Sequence, residues 1–549
     1  MRTLFAIFAV LLGLAGLLTW LTQPGKRDEV PVIYWVIDPA PARPQQIALY
    51  HKWLITNGYG TQYELRTQAD LDAFRGRRWT DPIRRAIVDG NADGAKVLAP
   101  ATSAGDLPLT VRVPGVEMRL DAASNDLYKK LVQGVSRVAG DVIEAYNGGQ
   151  QMQFLASAGM LADVTESAKK YGFTPDKTYP ALAPSLFYDG RQYAFPRNPA
   201  QTLYWVNKDS FRRVGQEPPP ARWTIAEFEQ RGKAYVNAAN PPGTRRQYFF
   251  ADRALRTELR RSLGLSEFNE TLTDCTLADP RNARSLDLVR QWTNDDHILP
   301  SAADKASFDT AGGWGGQSFQ LFKSGQYALF GSGRWALMLF RKFGSMPLAV
   351  VEPPHAGLPN TILSGGQTTV FAASRHRQYA ELFLAYMAGE DYNMQIVRDG
   401  DALPPNPIYT QSEEFRRPAA YPNEWGCHEV FANAACTIAI TQSFSPFVLP
   451  MTVLRVDTES EEEVLNDRLS AADAARIAAE RIREEMQRTL RESASLRARY
   501  DEWCKLQAQI EARRAAGQKV PSAWIKDPFH QRWYAANGWL EDDGREATP

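Results

Sequence analysis

The chain has 549 residues, of which 44% are hydrophobic and 23% charged, with 63 Lys and Arg against 63 Asp and Glu. Because single hydrophobic cores stop growing at about 250–300 residues, this length requires more than one domain. The formal net charge of zero gives no argument for a nucleic-acid partner or a strongly acidic substrate. The four Cys fit neither a zinc pattern nor Cys-x-x-Cys, and the six His are scattered, so no metal and no cofactor is expected.

An uncharged and mostly apolar run extends from Leu4 to Leu21, close behind Arg2. As a helix, these roughly 18 residues would measure about 27 Å, close to the thickness of the bilayer hydrocarbon core. No small-x-small cleavage site is clear between residues 19 and 29. Residues 1–24 are therefore predicted to be an uncleaved signal anchor, a transmembrane helix that leaves the rest of the chain exported. A cleaved signal peptide is the alternative.

The exported part begins with a continuous apolar run from Val32 to Ile37, which has the length and character of a buried parallel strand. Residues 45–56 follow with apolar side chains at helical spacing, so the two predict a βα unit. Residues 66–115 show no clear period and are interpreted as an insertion. Residues 116–120 are predicted to be the next strand, and residues 123–136 the next helix.

The segment after residue 188 has the pattern of a crossing between two domains. Asp189-Gly190 is predicted to form a tight turn between two short aromatic strands. Pro196 and Pro199 are expected to interrupt the ladder, because proline cannot donate a backbone hydrogen bond. Residues 202–206 resume as a strand, so the chain would leave one sheet, pass a break and enter another.

A second region of interest ends in an aromatic residue beside a strand end. Residues 323–325 (Lys-Ser-Gly) are typical of a helix end, and residues 327–330 are predicted to form a short strand. Glycines then loosen the chain directly before Arg334 and Trp335. This placement favours a side chain that faces a cleft, with burial in the core as the alternative.

Two later segments are predicted to be the second and third crossings. Residues 361–371 carry Gly365-Gly366 between apolar runs, and residues 400–407 combine glycine with several prolines. The chain would therefore pass between its two domains three times.

The character of the chain changes at Glu459. Residues 471–517 are dominated by Ala, Arg, Glu, Gln and Leu, which are strong helix formers, and are predicted to form a long helix or a helical hairpin. The aromatic residues after Val520 argue against disorder and are expected to hold the helix against the outside of the preceding domains. This extension is expected to be dispensable for ligand binding.

In this order, the segments resemble family 1 extracellular solute-binding proteins, which capture sugars for ABC importers. The hairpin from Gly190 to Pro196 resembles the family's G-x-x-Y-x-x-P, and the strand end Trp-Val-Asn-Lys-Asp at Asp209 resembles its Y-N-K-D. The segment from Phe319 to Trp335 resembles F-x-x-G-x-x-A-M-x-x-x-G-x-W. The resemblance covers roughly residues 30–455, and the final part of the chain has no counterpart in the family pattern.

The resemblance implies an α/β, two-lobed periplasmic-binding-protein-like (type II) fold with three hinge crossings. An N-terminal membrane anchor and a C-terminal helical extension would be added to it. Lobe 1 is expected at residues 30–201 with 364–402, lobe 2 at 203–362 with 404–455, and the extension at 460–549.

Sugar recognition needs flat apolar platforms and planar hydrogen-bonding groups, and the ends of strands at a cleft are where they would act. The candidate ligand-binding residues are the aromatic and polar side chains at predicted strand ends, loops and crossings: Trp35, Asp38, Tyr146, Asn147, Asn198, Gln201, Trp314, Arg334, Trp335, Gln367 and Trp425. Trp335 is the best platform, since it also matches the family's cleft Trp. The ordinary alternatives are burial in the core for the tryptophans, a simple turn for Asp38, Tyr146 and Asn147, capping of the strand break for the polar residues at the crossings, and a surface ion pair for Arg334.

The function implied by the resemblance is that of the extracytoplasmic solute-binding component of an ABC importer. It would bind a sugar or oligosaccharide in an interlobe cleft by hinge closure and deliver it to an inner-membrane permease. A monomer is expected, in the periplasm and anchored to the cytoplasmic membrane, with no catalysis. The alternatives are a membrane-tethered sugar sensor and an exported carbohydrate-active enzyme, although no P-loop, Gly-x-Ser-x-Gly or His-Glu-x-x-His motif is present.

Overall fold

The computed structural model of the protein describes residues 30–541, except 91–95, 101, 123–126, 137–138, 147–149 and 309–315. The segment predicted to be a signal anchor, residues 1–24, therefore lies outside the described residues. Within the described ranges, no helix is both long and apolar enough to cross a membrane.

The strands are β1 (Val32–Ile37), β2 (Gly60–Leu65), β3 (Leu109–Pro114), β4 (Glu117–Ala122), β5 (Val142–Ala145), β6 (Phe187–Tyr188), β7 (Arg191–Gln192), β8 (Ala194–Gln201), β9 (Leu203–Asn207), β10 (Phe249–Ala251), β11 (Tyr327–Ser332), β12 (Leu348–Val351), β13 (Thr361–Val370) and β14 (Ala439–Ile440). The α-helices are α1 (Arg43–Thr56), α2 (Gln68–Arg75), α3 (Asp81–Gly90), α4 (Leu127–Val135), α5 (Gln150–Ser157), α6 (Thr165–Tyr171), α7 (Lys208–Arg213), α8 (Ile225–Ala239), α9 (Arg256–Ser262), α10 (Pro280–Arg290), α11 (Ala302–Ala306), α12 (Gln317–Lys323), α13 (Leu337–Phe340), α14 (Arg377–Ala388), α15 (Glu390–Asp399), α16 (Glu413–Arg416), α17 (Cys427–Thr437), α18 (Pro450–Leu465), α19 (Ala471–Glu492), α20 (Ala494–Ala515) and α21 (Pro528–Ala536).

Of the described residues, one compact unit contains those from 30 to 34 together with those within Arg43–Leu120. In it, β2 and β3 form a two-stranded antiparallel sheet that packs with α2 and α3, which lie between them in sequence, around a core of its own. In its described residues, the region interpreted as an insertion therefore contains two helices followed by β3, the antiparallel partner of β2. Its helices have only 8 and 10 residues, which is too short to show a clear period in the sequence. The core residues include Leu71, Phe74, Trp79, Ile83, Ile87 and Val111.

The other unit contains Trp35–Ala42 and the chain from Asp121 onward. In its mixed sheet, β1 is parallel to β5, whereas β13 runs antiparallel to both β5 and β8. The prediction of a buried parallel strand at residues 32–37 is confirmed. Because parallel strands end at the same edge of a sheet, the residues that follow β1 and β5, Asp38 and Tyr146, meet there.

A second sheet in the same unit has the order β10-β11-β9-β12, with β10 and β11 parallel. Side chains of β9 alternate between its two faces, as the two-residue period of a strand requires. Leu203 and Trp205 pack into one hydrophobic cluster, while Tyr204 and Val206 pack into another. Both faces of this sheet are therefore covered, and its strand ends are the places left for polar chemistry.

The predicted break at Pro196 and Pro199 is wrong, because β8 is continuous through both residues and stays paired with β13. In the described part of the chain, β8 pairs with β13 alone, and a strand with one unpaired edge tolerates proline there. The pairing register of β8 and β13 shifts at a bulge between Gly366 and Gln367, which lie opposite Asn198 and Pro196. The chain passes into the second sheet only after β8, at β9; the expected lobe boundaries remain a prediction.

In its described residues, the C-terminal extension from residue 460 onward is helical, as predicted, and contains the end of α18 and all of α19 to α21. Its aromatic residues do pack on the preceding chain. Trp533 lies so close to Gly264 that a Cβ there would come within 2.8 Å of the indole ring. Gly264 also has a φ of +85°, which favours glycine. The docking of the extension is therefore a close fit and not a loose association.

Candidate ligand-binding site

A buried arginine, Arg197 on β8, lies at the centre of the candidate site. Its guanidinium nitrogens are 3.3 Å from Glu144 Oε2, 3.5 Å from Asp401 Oδ2 and 3.8 Å from Asp38 Oδ2. Burial alone would lower the pKa of Arg197, but the charges of Glu144, Tyr146 and Asp401 together outweigh it and hold the pKa well above its ordinary value. A buried charge is tolerated only when it is paired, so these carboxylates fix the arginine in place.

Glu144 on β5 connects the arginine to two further strands. Its side chain is fully buried and accepts hydrogen bonds from Trp35 Nε1 at 3.0 Å and from the Thr368 hydroxyl. The Trp35 ring also packs edge-on against Phe383, with the ring centroids 4.9 Å apart. The structure therefore places Trp35 beneath the site, where it holds Glu144, and not on a solvent-facing surface.

Asp38 and Tyr146 form the accessible end of this network. The Tyr146 hydroxyl donates to Asp38 Oδ2 at 2.8 Å, and the Asp38 side chain is 22% exposed, whereas those of Glu144 and Asp401 are at most 1% exposed. Burial raises the pKa of Tyr146, so its hydroxyl stays protonated as a donor. Lys130 lies over the Tyr146 ring at 4.9 Å from its centroid and donates to the Glu144 carbonyl.

Two glycines of β13 make room for the network. At Gly366, a Cβ would be 2.7 Å from Arg197 Nε and 2.8 Å from Glu144 Oε2. Gly365 has a φ of +133°, and a Cβ there would be 2.5 Å from the Asn198 carbonyl oxygen. The glycine pair that predicted a crossing is thus needed for a different reason, the close approach of β8 to β13 beneath Arg197.

The segment around Asp401 joins this network to a second group of candidates. Asn198 Nδ2 donates to Asp401 Oδ1 at 2.7 Å. The next residue, Ala402, accepts a hydrogen bond from Arg334 Nη1 at 2.6 Å. Arg334 also donates to Val397 and to His428 Nδ1 and is fully buried, so it braces the chain instead of facing solvent. Burial, and then the charge of Arg341, lower the pKa of Arg334 to about 9.

Trp335 follows β11 of the second sheet and lies beside Gln201 at the end of β8. It is partly buried, with its ring centroid 5.7 Å from that of Phe319. A Cβ on Gly333 would come within 2.7 Å of the Trp335 ring and 3.2 Å of the Gln201 carbonyl oxygen, which places all three together. Trp335 thus follows a glycine-loosened strand end, as the sequence predicts.

The side-chain amides of Gln201 and Gln367 are buried at the two strands that meet here. The Gln201 amide donates to the Phe431 carbonyl, and that of Gln367 donates to Ser185 Oγ at 2.7 Å. In both, the Oε1 atom has no hydrogen-bond partner within the described ranges. An unsatisfied buried acceptor costs about 1–3 kcal/mol, which a water or a ligand hydroxyl in contact with it would offset.

Of the described candidates, Trp425 lies apart from these groups. Trp425 is 48% exposed, and its indole N–H donates to the Pro418 carbonyl. No contact with another candidate is recorded for it in the described part of the chain. Asn147 and Trp314 fall outside the described residues. Ligand binding by any of the candidate residues is still a prediction.

Sequence reasoning missed the charged residues that organise the site, Arg197, Glu144, Asp401 and Lys130. A usable signal was present for Glu144, since it interrupts the otherwise apolar strand Val-Ile-Glu-Ala. A charged residue in such a strand must find a buried partner. Arg197, between two prolines in an otherwise uncharged strand, is the matching signal.

Chemically, the site offers acceptors and donors for hydroxyl groups, and the described residues give it no arrangement for metal binding. Both cations are already engaged, Arg197 by carboxylates and Lys130 by carbonyl and amide oxygens. What stays accessible is the Asp38 carboxylate with the Tyr146 hydroxyl, a pair suited to the edge of a polyhydroxylated ring.

A family model described as bacterial extracellular solute-binding protein matches residues 111–423. Among curated proteins, the chain is similar to the sn-glycerol-3-phosphate-binding periplasmic protein UgpB of Rhizobium meliloti, with 25% identity over 271 residues, 44% of this chain and 56% of that protein. The corresponding protein of Agrobacterium fabrum is 23% identical over 270 residues, again 44% and 56% of the two chains. The chain thus spans about half the length of the curated relatives it matches.

Solved structures show the same architecture. An ABC substrate-binding protein of Listeria monocytogenes in complex with cycloalternan has a TM-score of 0.62 at 18% identity, covering 84% of this chain and 100% of that one. The maltose/maltodextrin-binding domain MalE of Bdellovibrio bacteriovorus, bound to maltotriose, has a TM-score of 0.56 at 13% identity, with 84% and 100% covered. These likenesses show the fold, a mixed α/β fold like that of two-lobed maltose-binding-like proteins.

Proposed function

Since this chain belongs to the family of bacterial extracellular solute-binding proteins, we propose that it captures a sugar or oligosaccharide and delivers it to an ABC importer. The observation that carries the proposal is the partly exposed Asp38–Tyr146 pair, held at the ends of β1 and β5 by the buried Arg197 network. With its proton donated to Asp38, the Tyr146 oxygen is an acceptor, as are the Asp38 carboxylate oxygens, so both groups can accept hydrogen bonds from neighbouring hydroxyls of a pyranose.

In this proposal, the second sheet belongs to lobe 2 and the strands β1, β5 and β8 of the mixed sheet belong to lobe 1, with the boundaries given by the sequence analysis, and the ligand binds between the lobes. Trp335 supplies the apolar platform, while Asn198, Gln201 and Gln367 flank the cleft. Ligand contacts on both lobes favour the closed arrangement, and the energy of closure comes from those contacts alone. The permease and its ATPases do the remaining work of transport, so the chain itself carries out no catalysis.

The proposal places the protein in the periplasm as a monomer, with residues 1–24 as its anchor in the cytoplasmic membrane. An anchored binding protein stays near its permease, which raises the effective concentration of the pair. A shift of the mature N-terminus to a position between residues 19 and 29, measured by mass spectrometry of the protein from membranes, would replace the anchor with a cleaved signal peptide.

A phosphorylated polyol is the second candidate ligand, favoured by the names of the curated relatives. The engagement of Arg197 and Lys130 by oxygen atoms of the protein favours a neutral ligand instead, because a phosphate would have to compete with those partners.

Calorimetric titration of the full-length protein in mild detergent tests the proposal. The panel contains neutral mono- and oligosaccharides and sn-glycerol 3-phosphate. We expect one-to-one binding of a neutral sugar and no product on prolonged incubation. Binding of the phosphate alone would establish the second candidate, and turnover of an oligosaccharide would establish an enzyme.

A further inference from the structure

Two connecting segments meet at the short ladder between β13 and β14. The first connector, residues 352–360, joins β12 of the second sheet to β13 of the mixed sheet. The second connector, residues 441–449, leads from β14 to α18. β14 pairs in parallel with the first residues of β13, Thr361 opposite Ala439 and Ile362 opposite Ile440, so both connectors begin or end at one short ladder.

Phe529 of the C-terminal extension is buried between these two connectors. Its side chain is 0% exposed and forms a hydrophobic cluster with Leu358 of the first connector and Ile440, the last residue of β14, directly before the second connector. The preceding Asp527 caps α21 by accepting the Phe529 N–H, and it also accepts the hydroxyl proton of Ser443 in the second connector. One turn of the extension thus contacts both connectors at once.

The other side of this turn is fixed to the chain that follows β10 of the second sheet. The Glu270 carbonyl accepts from the N–H groups of Lys526 and Asp527. The Glu270 carboxylate accepts from Tyr534, and also from Gln507 of α20. Phe529 is therefore presented to the connectors from a rigid support, not from a loose tail.

The strand that begins beside Phe529 leads to the candidate site within a few residues. β13 starts at Thr361, next to Leu358, and reaches the glycine pair beneath Arg197 at residues 365–366. Thr368, farther along β13, donates to Glu144. A shift of the first connector would therefore move β13, and with it the residues of β13 that contact Arg197 and Glu144.

From these contacts we propose that Phe529 is a positioning residue for ligand binding, which holds the two connectors in the arrangement that brings the binding groups together. The proposal rests on the proposed function, because it assumes that the ligand binds between the two sheets. Without the ring, the connectors sample more arrangements, and the apparent affinity falls in proportion to the competent fraction. The expectation that the extension is dispensable for binding would then be wrong.

The test compares Phe529→Ala with a matched variant in full-length protein. Ile510 is also 0% exposed and lies in the extension, but its cluster contains Val520, Ile525 and Tyr534 and neither connector. Both Phe529→Ala and Ile510→Ala leave a cavity and lower the melting temperature. With maltotriose and the other neutral sugars of the panel, we expect Phe529→Ala to raise the Kd at least fivefold and Ile510→Ala to change it less than twofold. Phe529→Leu, which keeps an apolar side chain between the connectors, should restore the Kd to within twofold.

Equal shifts in both alanine variants, an unchanged Kd or a tighter Kd in Phe529→Ala would overturn the proposal. Hydrogen exchange in the ligand-free protein is the second measurement. The amides of residues 361–370 should exchange faster in Phe529→Ala, or in Phe529→Val if the alanine variant does not fold, than in Ile510→Ala. Unchanged exchange there would also overturn the positioning role. If the wild-type protein bound no sugar, the proposed function would fail, and the ligand-free exchange result would still decide whether Phe529 orders the connectors.

Discussion

The hydrogen-bonded networks around Arg197 and around Glu270 are both built on a buried charge. They differ in whether a polar member of the network is exposed to solvent. Arg197 is surrounded by carboxylates from three separate segments, and one of them, Asp38, keeps part of its surface exposed. Glu270 is 6% exposed, and its partners Tyr534, Gln507 and Arg514 all come from the extension, which closes over it. The comparison teaches that a buried charge by itself marks no binding site. A network that ends on an accessible polar group can receive a ligand, whereas a closed network holds two parts of the chain together.

The largest effect is expected from Arg197→Met. The substitution leaves Glu144 and Asp401 buried without their cation, and breaking a buried ion pair in this way costs about 3–5 kcal/mol. We expect urea denaturation to show a loss of unfolding free energy in that range, together with loss of ligand binding. The control is Arg476→Ala, which removes an exposed pair with Glu480 on α19 and should leave the midpoint unchanged. Equal stability of Arg197→Met and the wild type would mean that the network does not support the site.

The Glu270 network should make the free energy of unfolding depend on pH in the acid range. Burial by itself raises the pKa of Glu270, but the charge of His530 and the hydrogen bonds from Tyr534 and Gln507 outweigh it and lower the pKa to about 2. A lowered folded-state pKa stabilises the fold above the unfolded-state value, about 4.5, and this stabilisation of about 3 kcal/mol is lost as the pH falls from 4.5 to 2. Thermal unfolding of Glu270→Gln should therefore show a weaker loss of stability than the wild type over this window. If the melting temperatures of Glu270→Gln and the wild type fell equally with pH over this window, the account of the Glu270 network would be contradicted.

At the open site, Trp335→Ala should weaken ligand binding with little change in stability. Loss of an aromatic platform costs about 1–3 kcal/mol of binding free energy, or roughly one to two decades in Kd. Trp539→Ala, which removes a 40% exposed indole from the extension, is the control and should leave the Kd unchanged. An unchanged Kd and a lowered melting temperature in Trp335→Ala would identify Trp335 as a core residue.

The smallest effect is expected from the surface pair between Arg499 of α20 and Asp189 in the hairpin turn, whose charged atoms are 3.6 Å apart. Exposed pairs of this kind contribute less than about 1 kcal/mol. Asp189→Asn should therefore change neither the midpoint of unfolding nor the Kd measurably. A clear change in Kd would show that the extension acts on binding through this pair in addition to Phe529.

The sequence pattern predicted an element correctly where its formation depends mainly on residues that are neighbours in the chain. The apolar run at residues 32–37, the Asp189-Gly190 hairpin and the helical extension are all present. The break at Pro196 failed because its consequence depends on which edge of β8 is paired, and that is a tertiary property. The charged partners of Arg197 lie more than 50 residues away on either side of it in sequence, so nothing local could join them.

The most direct test of the central claim, that ligand binds at the accessible end of the Arg197 network, is the affinity of Asp38→Asn for the tightest-binding sugar of the panel. The amide keeps the size of the side chain, so stability should change little, while loss of the charged acceptor should raise the Kd at least tenfold, or about 1.4 kcal/mol. The wild-type Kd in a variant that is equally stable would contradict the account and place the ligand elsewhere.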